Sequence, residues 1–123
     1  MRFPNEWPPE EAVSCSGDYF HIPQEDPPGA DDLKCFQEKG RKLRYAPSCA
    51  CMPYGLSVFT DRADALHMQK AMHRIGGFIG TLNLTATDGK VMLTPGQQPT
   101  HDTWWPSCEC DRKNRVAKVE KVA

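Results

Sequence analysis

The sequence has no long hydrophobic run. Its apolar stretches are only a few residues long, whereas a helix that crosses a membrane needs about 20 consecutive apolar residues. The N-terminal residues 1–7 also lack the apolar segment that a secretory signal requires. We therefore expect a cytoplasmic protein that has no membrane partner.

A glycine-rich phosphate-binding loop is also missing. The glycine-rich residues 76–80 follow a predicted helix, whereas a phosphate loop opens a helix and directs its backbone N–H groups at the anion. These glycines are instead typical of a helix end and a strand entry. Nucleotide binding through such a loop is therefore excluded.

The composition is that of a small folded domain. Of the 123 residues, 39% are hydrophobic and 25% are charged, and one domain usually spans about 100–150 residues. Eleven prolines and nine glycines predict many turns and a small core. We predict a single domain over residues 1–123, made of a proline-rich acidic arm (1–29), a core (30–110) and a basic tail (111–123).

Charge is unevenly distributed along the chain. Residues 1–34 carry eight acidic and two basic side chains, and the remaining residues carry thirteen basic and eight acidic ones. The simpler interpretation is that the acidic arm lies against the basic body. The alternative is a basic surface that binds nucleic acid and is masked by the arm.

Residues 54–94 have the clearest secondary-structure pattern. Residues 56–59 are rich in β-forming side chains and predict a strand. Asp61 is a good N-cap for a helix with an apolar stripe, which the glycines at 76 and 77 end. Residues 78–85 alternate as in a strand, and Asp88–Gly89 predicts a two-residue hairpin turn to a returning strand over 91–93.

The remaining segments are less regular. Residues 18–22 predict a short strand, residues 95–110 a loop, and a helix is expected from Ala30, weakened by Gly40. Residues 111–123 fit helix, strand or disorder. Because a helix connects strands 56–59 and 78–85, these two can run parallel. We therefore expect an α+β fold, a small mixed β-sheet of four to six short strands with two helices.

Six cysteines form the most specific chemical pattern of the chain. Four of them make two Cys-x-Cys pairs, and residues two apart on an extended chain point to the same side. Four thiolates would suit a tetrahedral structural zinc site. Free thiols and disulfides are the alternatives, and free thiols are the usual state in the cytosol. The candidate ligands are Cys49, Cys51, Cys108 and Cys110.

Two stretches, residues 54–65 and 89–106, together with the opening residues 2–9, resemble a set of short bacterial proteins of uncharacterised function. Their shared features are a Gly-Leu-Ser-Val-Phe strand and a Thr-His-x-Thr-Trp-Trp-Pro loop. The resemblance spans most of the chain. It implies a bacterial source and assigns no activity, and the paired cysteines lie outside the shared pattern.

A second, fold-level similarity is to ADP-ribosyltransferase-like domains. Residues 18–22 place a histidine on an early strand, as those domains do. Residues 55–60, followed by Asp64–Ala65, are similar to their later strand and the start of the next helix. The similarity implies an enzyme that uses NAD or a nucleotide.

In such an enzyme, His21 would hydrogen-bond the nicotinamide ribose. An aromatic side chain, Tyr54 or Phe59, would stack on the nicotinamide ring. The site would be completed near the His101 loop. The catalytic candidates are His21, Ser57 and His101, with Asp102 and Glu109 as candidate acids.

The loop around His101 also predicts a site without that similarity. A histidine beside Trp104 and Trp105 on a proline-bounded loop can stack on an aromatic or base-like ligand. The alternative, which we favour, is that the two indoles fold back over a small core, since tryptophans supply much buried area.

Three functions remain open from the sequence. We favour an interaction or regulatory domain without catalytic activity that binds another protein, because no standard catalytic motif is present. The alternatives are the NAD-using enzyme and an accessory protein that binds nucleic acid through its basic tail. Zinc and NAD are the cofactors that these alternatives imply.

Overall fold

The computed structural model describes residues 8–29, 32–33, 55–72, 76–96 and 98–122. Within them lie seven β-strands, one α-helix and two short 3₁₀ turns, at Ala86–Asp88 and Arg112–Arg115. The helix, α1, spans Arg62–Ala71. The strands are β1 (Val13–Ser14), β2 (Gly17–His21), β3 (Leu56–Phe59), β4 (Phe78–Leu84), β5 (Gly89–Leu93), β6 (His101–Pro106) and β7 (Val116–Lys121).

All seven strands form one sheet, in the order β1-β5-β6-β3-β2-β4-β7. Every neighbouring pair is antiparallel. The prediction of an α+β fold with a mixed sheet is therefore wrong, and the described part of the chain is nearly all β. The second predicted helix, from Ala30, lies largely outside the described residues.

The mixed sheet was predicted because β3 and β4 are joined through α1. Both strands do run in the same direction, but β2 lies between them and is antiparallel to each. Phe20 of β2 pairs with Phe59 of β3 on one side and with Thr81 of β4 on the other. No local pattern reveals that a strand from the N-terminal segment enters at this point.

The helix begins where its sequence predicts. Asp61 has an extended backbone, and its carboxylate accepts a hydrogen bond from the Ala63 backbone N–H at 2.9 Å. This bond satisfies one of the N–H groups left free at a helix start. The helix ends at Ala71, where the Met72 N–H still donates to the Met68 carbonyl oxygen.

Each face of the sheet has its own apolar cluster. On the face that we call the helix face, Phe59 and Ile79 pack with Ala65 of α1, and Phe20 and Met68 lie against them. The opposite face, here the core face, holds the larger cluster. It contains Cys15, Tyr19, Leu33, Leu56, Val58, Leu82, Leu84, Val91 and Trp104.

Two further local predictions differ from the structure. Asp88–Gly89 does not form a hairpin between neighbouring strands, because β4 pairs with β2 and β7 while β5 pairs with β1 and β6. A 3₁₀ turn at Ala86–Asp88 occupies this point and directs β5 away from β4. The predicted loop over 95–110 contains β6, the strand between β3 and β5.

Both ends of the described chain contribute to the sheet. The N-terminal segment that was predicted to be an arm supplies β1 and β2, and β2 lies well inside the sheet. The tail supplies β7, which settles the choice among helix, strand and disorder in favour of a strand. Within the described residues, the sheet therefore ends at β7 on one side and at the two-residue β1 on the other.

Candidate functional site

Strand β6 carries most of the residues that the sequence marks as chemically interesting, and all six of its residues are buried. Trp104 is 0% exposed and Trp105 is 2% exposed. The indole N–H of Trp104 donates to the Asp88 carbonyl oxygen at 3.2 Å. The two rings therefore fill the interior, as in the packing alternative, and offer no free face for a ligand to stack on.

His101 is held by the residues around it. Its Nδ1 lies 2.7 Å from the Thr94 carbonyl oxygen, which can only accept, so Nδ1 carries the proton and donates. The Thr94 hydroxyl lies 3.1 Å from the same nitrogen and 2.8 Å from the Thr103 hydroxyl. The centroids of the His101 and Phe59 rings are 5.3 Å apart, and the two rings meet edge to face. These contacts fix one ring orientation and leave Nε2 as the acceptor nitrogen.

The three candidate catalytic residues lie on two different faces of the sheet. Ser57 is paired with Thr103, two residues from His101 along β6, so these side chains share the helix face. His21 is paired with Gly80 and alternates with Phe20, so it shares the core face. The sheet itself separates His21 from Ser57 and His101, and the structure does not bring the three together.

His21 lies directly over the backbone of β4. A Cβ atom placed on Gly80 would come within 2.3 Å of the His21 Nε2, so the ring needs glycine at that position. The imidazole is 5% exposed and Nε2 has no hydrogen-bond partner. Burial lowers the pKa of His21 from its usual 6.5 to about 4 and outweighs the opposing charge of Asp32. His21 is therefore a buried neutral side chain.

Asp102 is the carboxylate of β6 that faces the core cluster. It is 7% exposed, and its Oδ1 atom has no hydrogen-bond partner. Burial raises the pKa of this carboxyl, and neighbouring His101 opposes that shift. A buried polar atom without a partner costs about 1–3 kcal/mol. Asp102 therefore destabilises the fold at neutral pH.

The cysteine pair at 108 and 110 does not lie on an extended chain. The Cys110 N–H donates to the Ser107 carbonyl oxygen at 3.1 Å, which closes a turn. Cys108 is exposed, while Cys110 is half-buried and its thiol donates to Asp88 Oδ1 at 3.6 Å. Burial and the Asp88 carboxylate raise the pKa of Cys110 to about 11, so its thiol stays protonated. The two sulfur atoms have different surroundings, which the predicted zinc geometry did not anticipate.

The remaining predicted ligands fall into two groups. Cys49, Cys51 and Tyr54 lie outside the described residues. Phe59 is 2% exposed and packs beneath α1, so its ring stacks on protein atoms. In the described ranges, no group of three or more histidine, cysteine or acidic side chains is arranged to hold a metal ion.

A groove runs along β7 at the edge of the sheet. It has a volume of about 280 Å³ and is lined on one side by Pro27 and Pro28. Its other side is formed by Lys113 and by the first part of β7, residues 116–119. Val116 also packs against the core cluster, so the groove has an apolar floor continuous with the interior.

The outer edge of β7 carries unpaired backbone groups in the described part of the fold. The Val122 N–H donates to the Gly77 carbonyl oxygen at 3.0 Å, so that residue points toward β4. Because backbone groups alternate along an antiparallel strand, Val119 and Lys121 direct their N–H and carbonyl groups away from β4. Strand β7 lies at the end of the sheet order, so these groups face outward.

Basic side chains surround this edge, and several already have partners. Arg115 lies 3.6 Å from Asp88, and Arg112 donates to the Leu33 carbonyl oxygen at 2.6 Å. Glu120 accepts from Arg62 at 3.0 Å and lies 3.5 Å from Lys118. These contacts lower the pKa of Glu120 and use its charge within the domain. The exposed lysines of the edge are Lys113, Lys118 and Lys121.

Sequence reasoning missed this groove because its two walls are distant in the chain. The tail pattern of Val116, Val119 and Val122, with lysines between them, left its secondary structure open. The prolines of the other wall were interpreted only as helix breakers. A signal was present in the basic residues between valines, which are typical of a strand at the edge of a sheet.

Comparisons with protein-family models, with curated proteins and with solved structures find no match to this chain. The resemblance to short bacterial proteins and the similarity to ADP-ribosyltransferase-like domains therefore stay predictions. Among the residues that the structure describes, no helix has the length and apolar character that a membrane crossing requires.

Proposed function

We propose that this protein is a cytoplasmic interaction domain that works by binding another protein rather than by catalysis. The observation that supports this proposal is the open edge of β7 beside the groove of Pro27 and Pro28. The partner contributes an extended segment that pairs with β7 as an additional strand. One or more of its side chains enter the groove.

The backbone of β7 supplies the affinity in this proposal. A segment added to a sheet edge gains main-chain hydrogen bonds, and pockets for alternate side chains give specificity. Val119 and Lys121 offer outward backbone donors and acceptors at the positions where such a segment would pair. The half-buried Val116 and Val119 give the groove an apolar surface for the side chains that point toward it.

The NAD-using alternative has less support from the geometry. It needs His21, Ser57 and His101 around one ligand, and the sheet lies between the first and the other two. The buried rings of Phe59 and Trp104 are also not available to stack on a nicotinamide. Binding through β7 requires the outward backbone groups of that strand and the groove beside it, and neither is enclosed in the core.

A library of random extended peptides displayed on phage tests the proposal. Selected peptides are titrated into isotope-labelled protein, and backbone amide shifts are followed by NMR. We expect the largest shifts in β7 and the groove residues, and small shifts in β1 and β5, because these two strands lie at the opposite end of the sheet. Peptides that shift α1 and leave β7 unchanged would contradict the proposal.

Two variants at one position separate backbone pairing from side-chain contact. Lys121→Pro removes an outward N–H and leaves the inward bonds to β4 in place. Lys121→Thr removes the same charge and keeps the N–H. We expect Lys121→Pro to lose most of the peptide binding and Lys121→Thr, which loses only the charge, to keep the larger part of it. Equal binding by both variants would show that the peptide does not pair with β7.

A further inference from the structure

We infer that the segment that pairs with β7 presents both acidic and apolar residues on the side that faces the groove. This inference rests on the proposed function, since it names the chemistry of the strand that the edge accepts. The probe that represents it is a peptide of about eight residues, the length of an ordinary strand or slightly more, in which every second residue is threonine and the residues between are valine and glutamate in turn.

The acidic half of this pattern follows from the charges that remain free at the edge. Neither Lys113 nor Lys121 makes an ion pair with any described residue, and both are exposed. Glu120, the acid of β7, is already occupied by Arg62 and Lys118. An incoming strand therefore meets uncompensated positive charge, and like charge placed directly opposite on neighbouring strands is destabilising.

The apolar half follows from the two faces of β7. Val119 pairs with Gly80 and Val116 with Leu82, so these two valines share the core face. Lys121 pairs with Phe78 and shares the face of Val119. Lys118, by contrast, pairs with Thr81 and lies on the helix face. A paired strand alternates in the same way. Every second residue of that strand therefore lies on the groove side, against Val116, Val119 and the two prolines.

Strand β7 has a bulge at the groove. The pairing register shifts between Thr81 and Leu82, so Ala117 has no counterpart in β4. Such a bulge bends a strand and increases its twist, which commonly re-aims side chains at a sheet edge. Here the bulged residue itself lines the groove. The apolar side chain of the partner is accommodated at this bend.

The test compares three peptides that share one backbone. In the second peptide glutamine replaces every glutamate, and in the third lysine does. Binding to the labelled protein is measured by NMR at two salt concentrations, with a short oligothymidylate as a nucleic-acid probe. We expect the glutamate peptide to shift β7 amides and to bind about tenfold more tightly than the lysine peptide, as charge complementarity at an interface predicts.

The outcomes separate this inference from the function on which it rests. If the glutamine peptide binds β7 as tightly as the glutamate peptide, the acidic preference is overturned and strand addition stands. If none of the three shifts β7, both proposals are overturned. If oligothymidylate shifts β7 at lower concentration than the glutamate peptide, with a steep salt dependence, the edge is a nucleic-acid surface and the inference is overturned.

A charge-reversed variant provides the matched control. Lys113→Glu combined with Lys121→Glu changes only exposed side chains, so the fold should be retained, as the unchanged NMR spectrum of α1 will show. We expect the preference to invert, with the lysine peptide now binding more tightly than the glutamate peptide. An unchanged preference would show that these two lysines do not contact the partner.

Discussion

Strands β6 and β7 have the same length and opposite surroundings. β6 lies between β3 and β5, and each of its six residues is buried. β7 ends the sheet, and none of its six residues is buried. β6 holds a histidine, an aspartate and two tryptophans, whereas β7 has only valine, alanine, lysine and glutamate.

The comparison shows that side chains of a chemically reactive type can be fully used in packing the fold. The residues of β6 that suggest catalysis or ligand stacking are occupied by the fold: the Trp104 indole bonds to Asp88 and the His101 ring is held by Thr94. By contrast, β7 has outward backbone groups and exposed lysine side chains that a partner can reach. The proposed site at β7 therefore rests on groups that are available at the surface rather than on the reactivity of side chains.

The largest effect is expected when the packing of β6 is broken. Trp104→Ala should lower the free energy of unfolding by about 3–5 kcal/mol, because it removes a fully buried indole and leaves a cavity. Val119→Ala in β7 is the matched change and should cost less than about 1 kcal/mol, since that side chain is only half-buried. Urea denaturation, followed by fluorescence or circular dichroism, measures the loss of unfolding free energy in each variant. Equal losses would contradict the difference in packing between β6 and β7.

The next effect concerns the buried histidine of β2, which lies between the two strands in the sheet order. The folded pKa of His21 is about 4 and its ordinary value is 6.5, so the unfolded chain takes up a proton first as the pH falls. This contribution to stability is complete above about pH 6.5 and is lost down to about pH 4, by about 3 kcal/mol. His21→Gln should remove that part of the pH dependence, as urea denaturation at several pH values will show.

The control for this prediction is His67→Gln, which removes an exposed histidine from α1. It should change the stability at neutral pH by less than about 0.5 kcal/mol. If the His21→Gln variant keeps the full loss of stability between pH 6.5 and 4, the buried imidazole is not its source.

The smallest effect is expected at Asp102, the buried carboxylate of β6 that lowers the free energy of unfolding. β7 has no buried residue and therefore no such penalty. The folded pKa of this carboxyl is raised, so the penalty is present above the folded pKa and disappears as the pH falls below the unfolded value. Asp102→Asn should therefore raise the free energy of unfolding by about 1 kcal/mol at pH 7, and the gain should vanish in acid.

Asp26→Asn, at an exposed carboxylate, is the matched control and should change stability by less than about 0.5 kcal/mol. A loss of stability in Asp102→Asn at pH 7 would mean that the carboxylate makes a favourable contact in solution.

Local sequence patterns predicted some of the elements but not the arrangement of the sheet. The strand at 56–59 and the helix after Asp61 were located correctly because β propensity and N-capping act within a few residues. β6 was predicted as a loop because prolines surround it and because both of its faces are buried, which removes the alternation typical of a strand. The entry of β2 between β3 and β4 depends on pairing between distant segments.

The candidate site was harder to predict for the same reason. Pro27 and Lys113 line one groove although they are far apart in the chain. Their proximity follows from the strand order alone. The turn that begins at Ser107 replaces the extended geometry that was assumed for Cys108 and Cys110, and the Cys-x-Cys spacing does not reveal it. The zinc site stays a prediction, because Cys49 and Cys51 lie outside the described residues.

The opposite edge of the sheet sets a limit on how many partners can be added. There β1 pairs with β5 over Val13 and Ser14 only. An assembly that grows by repeated strand addition needs two long edges on every subunit, one to receive and one to offer a strand. The described sheet has one long edge and one of two residues, so under the proposed function a complex formed at β7 would end after one added strand rather than grow into a fibre.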